Sequence, residues 1–160
     1  MPVSIRSART ADAEAIADLT SQLGYDLSPS TAAERLSRFV TRSDQQFLVA
    51  ELDQEVVGWI HVVIFDFIES GPFVVVGGLV VDRHQRRKGV GTLLMRHAEA
   101  WARQQGSAVV RLWSSDARAA AHRFYEELGF TNVKTQYSFV KPLDGATADV
   151  VRAFVPRIES

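Results

Sequence analysis

Residues 85–94 read QRRKGVGTLL. Three cationic side chains, Arg86, Arg87 and Lys88, stand directly before Gly89 and Gly91, and an apolar stretch with helical spacing follows. A helix that begins at Gly89 presents unpaired backbone N–H groups and the positive end of its dipole, and glycine lets a ligand come close to that backbone. The stretch therefore predicts that a phosphate binds at the start of a helix.

The rest of the chain has the composition of one folded domain. Its 160 residues are 46% hydrophobic and 23% charged, so we expect a single domain over 1–160 with a C-terminal tail at 145–160. The net charge of -1 makes the basic loop an isolated feature and argues against nucleic acid or a membrane as the partner. The chain has no cysteine, which excludes a thiolate nucleophile and fits a reducing, cytoplasmic location.

Hydrophobic periodicity predicts a mixed order of strands and helices. Strands are expected at 3–7, 47–52, 56–67, 73–81, 109–113 and 132–141, with 109–113 buried. Helices are expected from Thr10 to Gly24, from Thr31, from Gly89 to Gly106 and at 117–128. Both faces of 56–67 are apolar, so this strand is predicted to be central. Gly77 and Gly78 interrupt 73–81 and predict a bulge just before the basic loop.

Two motifs link this order to a known family. Arg86-x-x-Gly89-x-Gly91, preceded by GGLVVD, resembles the acyl-CoA signature of the GNAT superfamily of N-acetyltransferases. AHRFYEELGF at 121–130, with Tyr125 four residues before Gly129, resembles the second motif of that superfamily. The loop is neither a Walker A motif nor a dinucleotide fingerprint, because the required Lys and third Gly are absent. By element order the resemblance covers about 3–141.

The resemblance implies an α/β fold with a GNAT-type central mixed β-sheet of about six or seven strands flanked by four helices. The sheet would be splayed between its fourth and fifth strands, and acetyl-CoA, the implied cosubstrate, would lie in the gap. The pantetheine arm would pair with the backbone of Leu79, Val80 and Val81. The pyrophosphate would be held by the amides of Arg86, Arg87, Lys88, Gly89, Val90, Gly91 and Thr92.

The implied reaction moves the acetyl group to a primary amine of a small molecule or peptide by direct attack, without a metal. Such a reaction needs support for the oxyanion and a proton for the leaving thiolate. The resemblance assigns the proton to Tyr125, whose hydroxyl has a reference pKa of about 10, and the backbone N–H of Leu79 or Val80 suits the oxyanion. Without the motif, Tyr125 would be interpreted as a core residue.

The general base stays open at this point. Many relatives carry a Glu on the strand before the cofactor loop, but here those positions are Gly77 and Gly78. The candidates are His61, Glu51, Asp66, Glu69 or a water molecule.

Three further alternatives stay open. The missing Glu allows a catalytically inactive acyl-CoA sensor on the same fold, and the basic stretch RHQRRK at 83–88 allows nucleic-acid binding, which ranks a distant third. Trp59, Trp113 and the strand edges allow a homodimer. Acceptor choice is expected to lie in the first two helices and in the loops 24–30 and 66–72, where Asp26, Asp66 and Glu69 could attract a cation.

Overall fold

The protein is described by a computed structural model over residues 2–157. A single five-stranded sheet lies at its centre, in the order β1-β2-β3-β4-β5. The strands are β1 (Ser4–Ser7), β2 (Gln45–Leu52), β3 (Glu55–Phe67), β4 (Gly71–Val81) and β5 (Val110–Leu112). The helices are α1 (Ala13–Leu23), α2 (Pro29–Phe39), α3 (Val90–Gln104), α4 (Ala119–Glu127) and the short α5 (Asp149–Arg152). The mixed α/β prediction is confirmed, with five strands in the described residues instead of six or seven.

The start of α1 differs in detail from the prediction. A 3₁₀ turn at Thr10–Asp12 precedes the helix, which begins at Ala13, and the Asp12 carboxylate accepts the N–H of Arg9 at 2.7 Å. The same carboxylate pairs with the Arg6 guanidinium at 2.8 Å, which holds the pKa of Asp12 below its usual value. The helix ends at Gly24 as predicted, where φ reaches 103°.

The second helix begins two residues before the predicted Thr31. Ser28 is its N-cap and accepts the N–H of Thr31 on its side-chain oxygen at 3.1 Å, while Pro29 occupies the first turn, where its missing N–H costs nothing. None of the helices within residues 2–157 has both the length and the apolar character needed to span a lipid bilayer.

β3 is the middle strand of the five, and the sheet is covered on both faces. The prediction that β3 is central is therefore confirmed. Strands β1 to β4 pair antiparallel, and β5 joins β4 in parallel. Trp59 of β3 is buried with Val49 against α1 and α2, whereas Ile60 and Val62 point to the other face and pack against α3. The alternation that the sequence shows in β3 therefore corresponds to two separate cores.

Two predictions at the β5 edge are wrong. The strand has only three residues, and its neighbours Val109 and Trp113 are 55% and 49% exposed, so it is an edge strand and not a buried one. Residues 132–141 form no strand, and the whole segment 131–143 is exposed and lacks regular structure. Apolar and polar residues alternate in the sequence of this segment as in a strand. The neighbouring strand β5, however, has only three residues with which the segment could pair.

Candidate active site

The turn into α3 leaves a run of backbone donors free. The N-cap Gly89 has a left-handed conformation with φ 82° and no side-chain cap, and Arg87 is also left-handed with φ 61°. The first bonded amide is that of Leu93, which donates to the carbonyl of Gly89 at 3.0 Å. No atom of residues 2–157 accepts a hydrogen bond from the N–H groups of residues 86–92. Left-handed turns of this kind form concave anion sites from successive N–H groups.

Side chains fix the position of this turn without filling it. Arg86 donates from Nε to the carbonyl of Val81 at 3.1 Å, which ties the loop to the end of β4. A Cβ on Gly91 would lie 3.2 Å from Cζ of Phe124, so the first turn of α3 packs closely against α4. The cations of Arg86, Arg87 and Lys88 are all exposed around the free amides.

A bulge in β4 opens the sheet beside this turn. His61 of β3 lies opposite Gly78 and Val62 opposite Val76, so Gly77 is the extra residue. Pairing of β4 with β5 covers only three positions and stops at Val76, opposite Leu112. Beyond the bulge, residues 79–81 pair with β3 on one side and with no strand of residues 2–157 on the other. The predicted gap between the fourth and fifth strands is therefore present.

Tyr125 lies on α4, and its ring packs against Phe124 and Phe130 with centroids 5.4 and 5.7 Å apart. It packs against the same buried cluster as Leu79 and Val81 of the open β4 edge. Burial raises the pKa of the Tyr125 hydroxyl, and the nearby charge of Arg118 only partly opposes this. The hydroxyl is therefore protonated at neutral pH and able to donate.

The other side of the bulge is filled by an indole ring. A Cβ on Gly78 would lie 2.7 Å from Cη2 and Cζ3 of Trp59, closer than atoms can approach. A glutamate at position 78 is thus excluded by the ring that occupies its space. The indole Nε1 is buried without a hydrogen-bond partner in residues 2–157. Trp59 therefore holds its place at the bulge by the packing of its ring and not by a hydrogen bond.

His61 is the one ionisable candidate that lies at the bulge. Its Nε2 is 2.6 Å from Oε1 of Gln45, and its ring stacks on Phe39 at 4.7 Å. Its other nitrogen, Nδ1, lies 3.6 Å from where a Cβ on Gly77 would stand. Burial lowers the pKa of His61 to about 4, so the imidazole is neutral at pH 7 and Nδ1 is an acceptor when Nε2 carries the proton.

The structure separates the other candidate bases from the bulge. Glu51 is bound to Arg6 at 2.7 Å at the β1 side of the sheet. Asp66 lies opposite Pro72, five residues along β3 from His61 or about 16 Å, and Glu69 belongs to the turn beyond it.

Sequence reasoning missed three residues that surround His61. Phe39 stacks on its ring, Phe47 packs against it at a tilt, and Gln45 forms a hydrogen bond with it. None of the three belongs to a recognisable motif. The antiparallel register puts Phe47 opposite His61, with Gln45 two residues away on the same face of β2. The only signal in the sequence was the position of His61 in a predicted hairpin, because a buried histidine needs a hydrogen-bond partner from a neighbouring strand.

Comparison with known proteins identifies the family. Residues 13–130 match the model described as the Acetyltransferase (GNAT) family. The chain belongs to this family. The resemblance stated from the two motifs is thereby confirmed, as is the enzyme class, an acetyl-CoA-dependent acyltransferase, at the level of the family.

Individual relatives span a range of similarity. An uncharacterized N-acetyltransferase, YhdJ of Bacillus subtilis, is 39% identical over 77 residues, which are 48% of this chain and 53% of that protein. Aminoglycoside N(6')-acetyltransferase type 1 of Klebsiella aerogenes is 32% identical over 117 residues, 71% of this chain and 77% of that one. The structure of AAC(6')-Iy in complex with the bisubstrate analog CoA-S-monomethyl-acetylneamine superposes on 89% of this chain and 100% of its own, with a TM-score of 0.80. At 18% identity the last comparison shows a shared GNAT fold.

The contact between Gly78 and Trp59 makes a testable prediction about stability. Gly78→Ala is expected to lower the free energy of unfolding by about 1–3 kcal/mol, because the added Cβ overlaps the indole ring. Gly77→Ala is the matched control, since its Cβ would make an ordinary contact with His61 and cost at most about 0.5 kcal/mol. Urea unfolding of both variants measures the difference, and equal losses would contradict the packing described here.

Proposed function

We propose that this GNAT protein transfers an acetyl group from acetyl-CoA to the primary amine of a small molecule or peptide, by direct attack in a ternary complex. The observation that carries the proposal is the run of free N–H groups at residues 86–92 next to the open edge of β4. The names of the aminoglycoside acetyltransferase relatives support a small-molecule amine as the acceptor.

We assign the diphosphate of acetyl-CoA to the turn before α3. Seven free amides can donate hydrogen bonds to an anion there, and the positive end of the helix dipole attracts it. The exposed cations of Arg86, Arg87 and Lys88 add electrostatic attraction around these amides. The pantetheine arm carries amide groups, so it suits the unpaired backbone edge of Leu79, Val80 and Val81 as an added strand would.

The chemistry then follows from groups around the gap. The chain has no cysteine that could form an acetyl-enzyme thioester, so the amine attacks the thioester of acetyl-CoA directly. A backbone N–H of Leu79 or Val80 at the open edge supports the oxyanion. Tyr125, protonated because burial raises its pKa, gives its proton to the departing thiolate.

His61 is too weak a base to accept the proton of the amine. An alkylammonium has a pKa near 10.4, and with the pKa of His61 at about 4 the gap of about six units opposes the transfer by about 9 kcal/mol. We propose that the amine is bound in its neutral form, that Nδ1 of His61 accepts a hydrogen bond from it directly or through water, and that the proton leaves to solvent.

A second candidate function is an acyl-CoA sensor without turnover. It is favoured by one observation: Gly77 and Gly78 supply no carboxylate at the bulge, and the ring of Trp59 fills the space of a side chain at position 78. It predicts acetyl-CoA binding with no thiol release for any amine. The cytoplasmic location stays a prediction from the absence of cysteine.

Replacing the three cations of the loop tests the cofactor assignment. Arg86→Ala/Arg87→Ala/Lys88→Ala is expected to weaken acetyl-CoA binding by about 10- to 100-fold, the loss of 1.4–2.8 kcal/mol of attraction to the phosphates. Isothermal titration measures the affinity. Arg96→Ala removes an exposed cation from the body of α3 and is the control. No detectable binding by the wild type, or the same loss in both variants, would contradict the assignment.

Tyr125→Phe tests the proton donor. We expect kcat for acetyl transfer to fall by about 10²-fold, as is typical for loss of a general acid, while the affinity for acetyl-CoA changes little. Tyr137→Phe is the control, because Tyr137 is 91% exposed in segment 131–143. Thiol release followed in a stopped assay reports kcat, and an unchanged value in Tyr125→Phe would remove this residue from the mechanism.

We also propose that the chain forms a homodimer through segment 131–143. The segment exposes Val133, Tyr137, Phe139 and Leu143, each by at least 76%, and clusters of exposed apolar side chains often mark protein–protein contacts. Gln136 accepts a hydrogen bond from the indole of Trp113 at 3.2 Å, so the segment lies beside the β5 edge without pairing to its backbone. Because β5 is three residues long, a second copy of the segment is the partner of matching length.

Light scattering after gel filtration tests the dimer. The wild type is expected at twice the mass of the 17.7 kDa chain. Tyr137→Asp/Phe139→Asp is expected to elute as a monomer, because two buried carboxylates are costly at an apolar interface. Phe154→Asp, which changes an exposed aromatic residue outside the segment, is the control. A monomeric wild type contradicts the proposal.

A further inference from the structure

A cavity of about 190 Å³ lies between α1, α2 and the strands β2 and β3. Its wall includes Trp59 and His61, the two side chains that stand against Gly78 and Gly77. One end of the cavity therefore lies next to the bulge, with the rings of Trp59 and His61 between the cavity and Gly78 and Gly77. The amine of an acceptor held there would lie nearest the proposed position of the thioester at the Trp59 and His61 end.

The volume matches one compact group, and the rest of a larger ligand would extend out of the cavity mouth. An apolar cavity of about 150 Å³ is enough to bind benzene. A cavity of 190 Å³ therefore surrounds a single ring with a short chain, whereas the further sugar rings of an aminoglycoside would lie outside it, open to solvent.

The wall has the chemistry of a site for an aromatic body. Phe47 lies 5.1 Å from the ring of Trp59 and 5.3 Å from that of His61, and Phe39 stacks on His61. Aliphatic side chains of α1 and α2, among them Leu36, complete the lining. Aromatic faces stabilise a ring by offset or edge contacts.

The charge of the wall opposes a polycation. Arg35 is the one charged side chain among the described residues that line the cavity, and no carboxylate is among them. Asp26, in the loop between α1 and α2, is already held by two hydrogen bonds from Arg157 at 2.7 and 3.1 Å. A second or third ammonium group on the acceptor thus has no partner here.

From size, lining and charge together, and resting on the proposed acetyl transfer, we propose that the acceptor is an arylalkylamine: a primary monoamine with one aromatic ring on a short chain. This separates the chain from its aminoglycoside-modifying relatives. In the reaction the neutral nitrogen adds to the thioester carbon and the carbonyl becomes an oxyanion; the C–S bond breaks as the carbonyl re-forms. The nitrogen loses one proton to solvent, the CoA thiolate gains one from Tyr125, and Tyr125 regains one from solvent. The products are the N-acetyl arylalkylamine and free CoA.

Thiol release with acetyl-CoA and three amines tests the proposal. We expect kcat/KM for 2-phenylethylamine to exceed that for butylamine and for kanamycin by at least about tenfold, the discrimination that an apolar pocket gives to a filled volume. Equal values for 2-phenylethylamine and butylamine, or a preference for kanamycin, overturn it.

Two variants connect the preference to the cavity. Phe39→Ala is expected to raise KM for 2-phenylethylamine by about tenfold without changing KM for acetyl-CoA, whereas Phe67→Ala, an aromatic residue near the β3–β4 turn, changes neither. Arg35→Glu is expected to increase kcat/KM for kanamycin relative to 2-phenylethylamine. If Phe39→Ala behaves like Phe67→Ala, the cavity is not the acceptor site.

A binding measurement separates this inference from the proposed function. Titration of 2-phenylethylamine into the protein saturated with CoA does not depend on turnover. Binding there without thiol release for any amine contradicts acetyl transfer but supports the cavity as an arylalkylamine site. Transfer to kanamycin with no binding of 2-phenylethylamine supports the transferase and overturns the inference.

Discussion

The extra residue at Gly77 determines how the two halves of the sheet can meet. β4 pairs with β5 up to Val76, the bulge turns the following backbone away, and residues 79–81 keep one unpaired edge. The same strand leads directly into the turn whose seven amides are free. One local change in register therefore produces a cleft that has backbone donors along one wall and at one end. The indole ring of Trp59, packed on Gly78, holds the backbone at this bulge.

That packing also constrains the chemistry. The ring of Trp59 excludes a carboxylate at position 78, and the imidazole beside it is neutral because burial lowers its pKa to about 4. The site consequently offers an apolar surface and one hydrogen-bond acceptor to an incoming amine instead of a strong base. Such a site suits an acceptor that binds as a neutral molecule, which agrees with the aromatic lining of the neighbouring cavity and its lack of a carboxylate among the described residues.

Much of this architecture could be predicted from the sequence because its signals are local. The two-residue period of β3, the glycine that ends α1 and the loop before α3 each specify their own conformation, and all three were predicted correctly. The strand predicted at 132–141 is absent because a strand also needs an edge to pair with, and periodicity carries no information about that edge. The aromatic residues around His61 escaped notice for a similar reason, since they meet only through the register of β2 with β3.

A crystal structure of the protein with CoA tests the central claim most directly. The account predicts pyrophosphate oxygens within hydrogen-bonding distance of the amides of residues 86–92, with the pantetheine arm along Leu79–Val81 in the gap beyond Gly77. A structure in which β5 or segment 131–143 closes that gap, while CoA binds elsewhere or not at all, would contradict it.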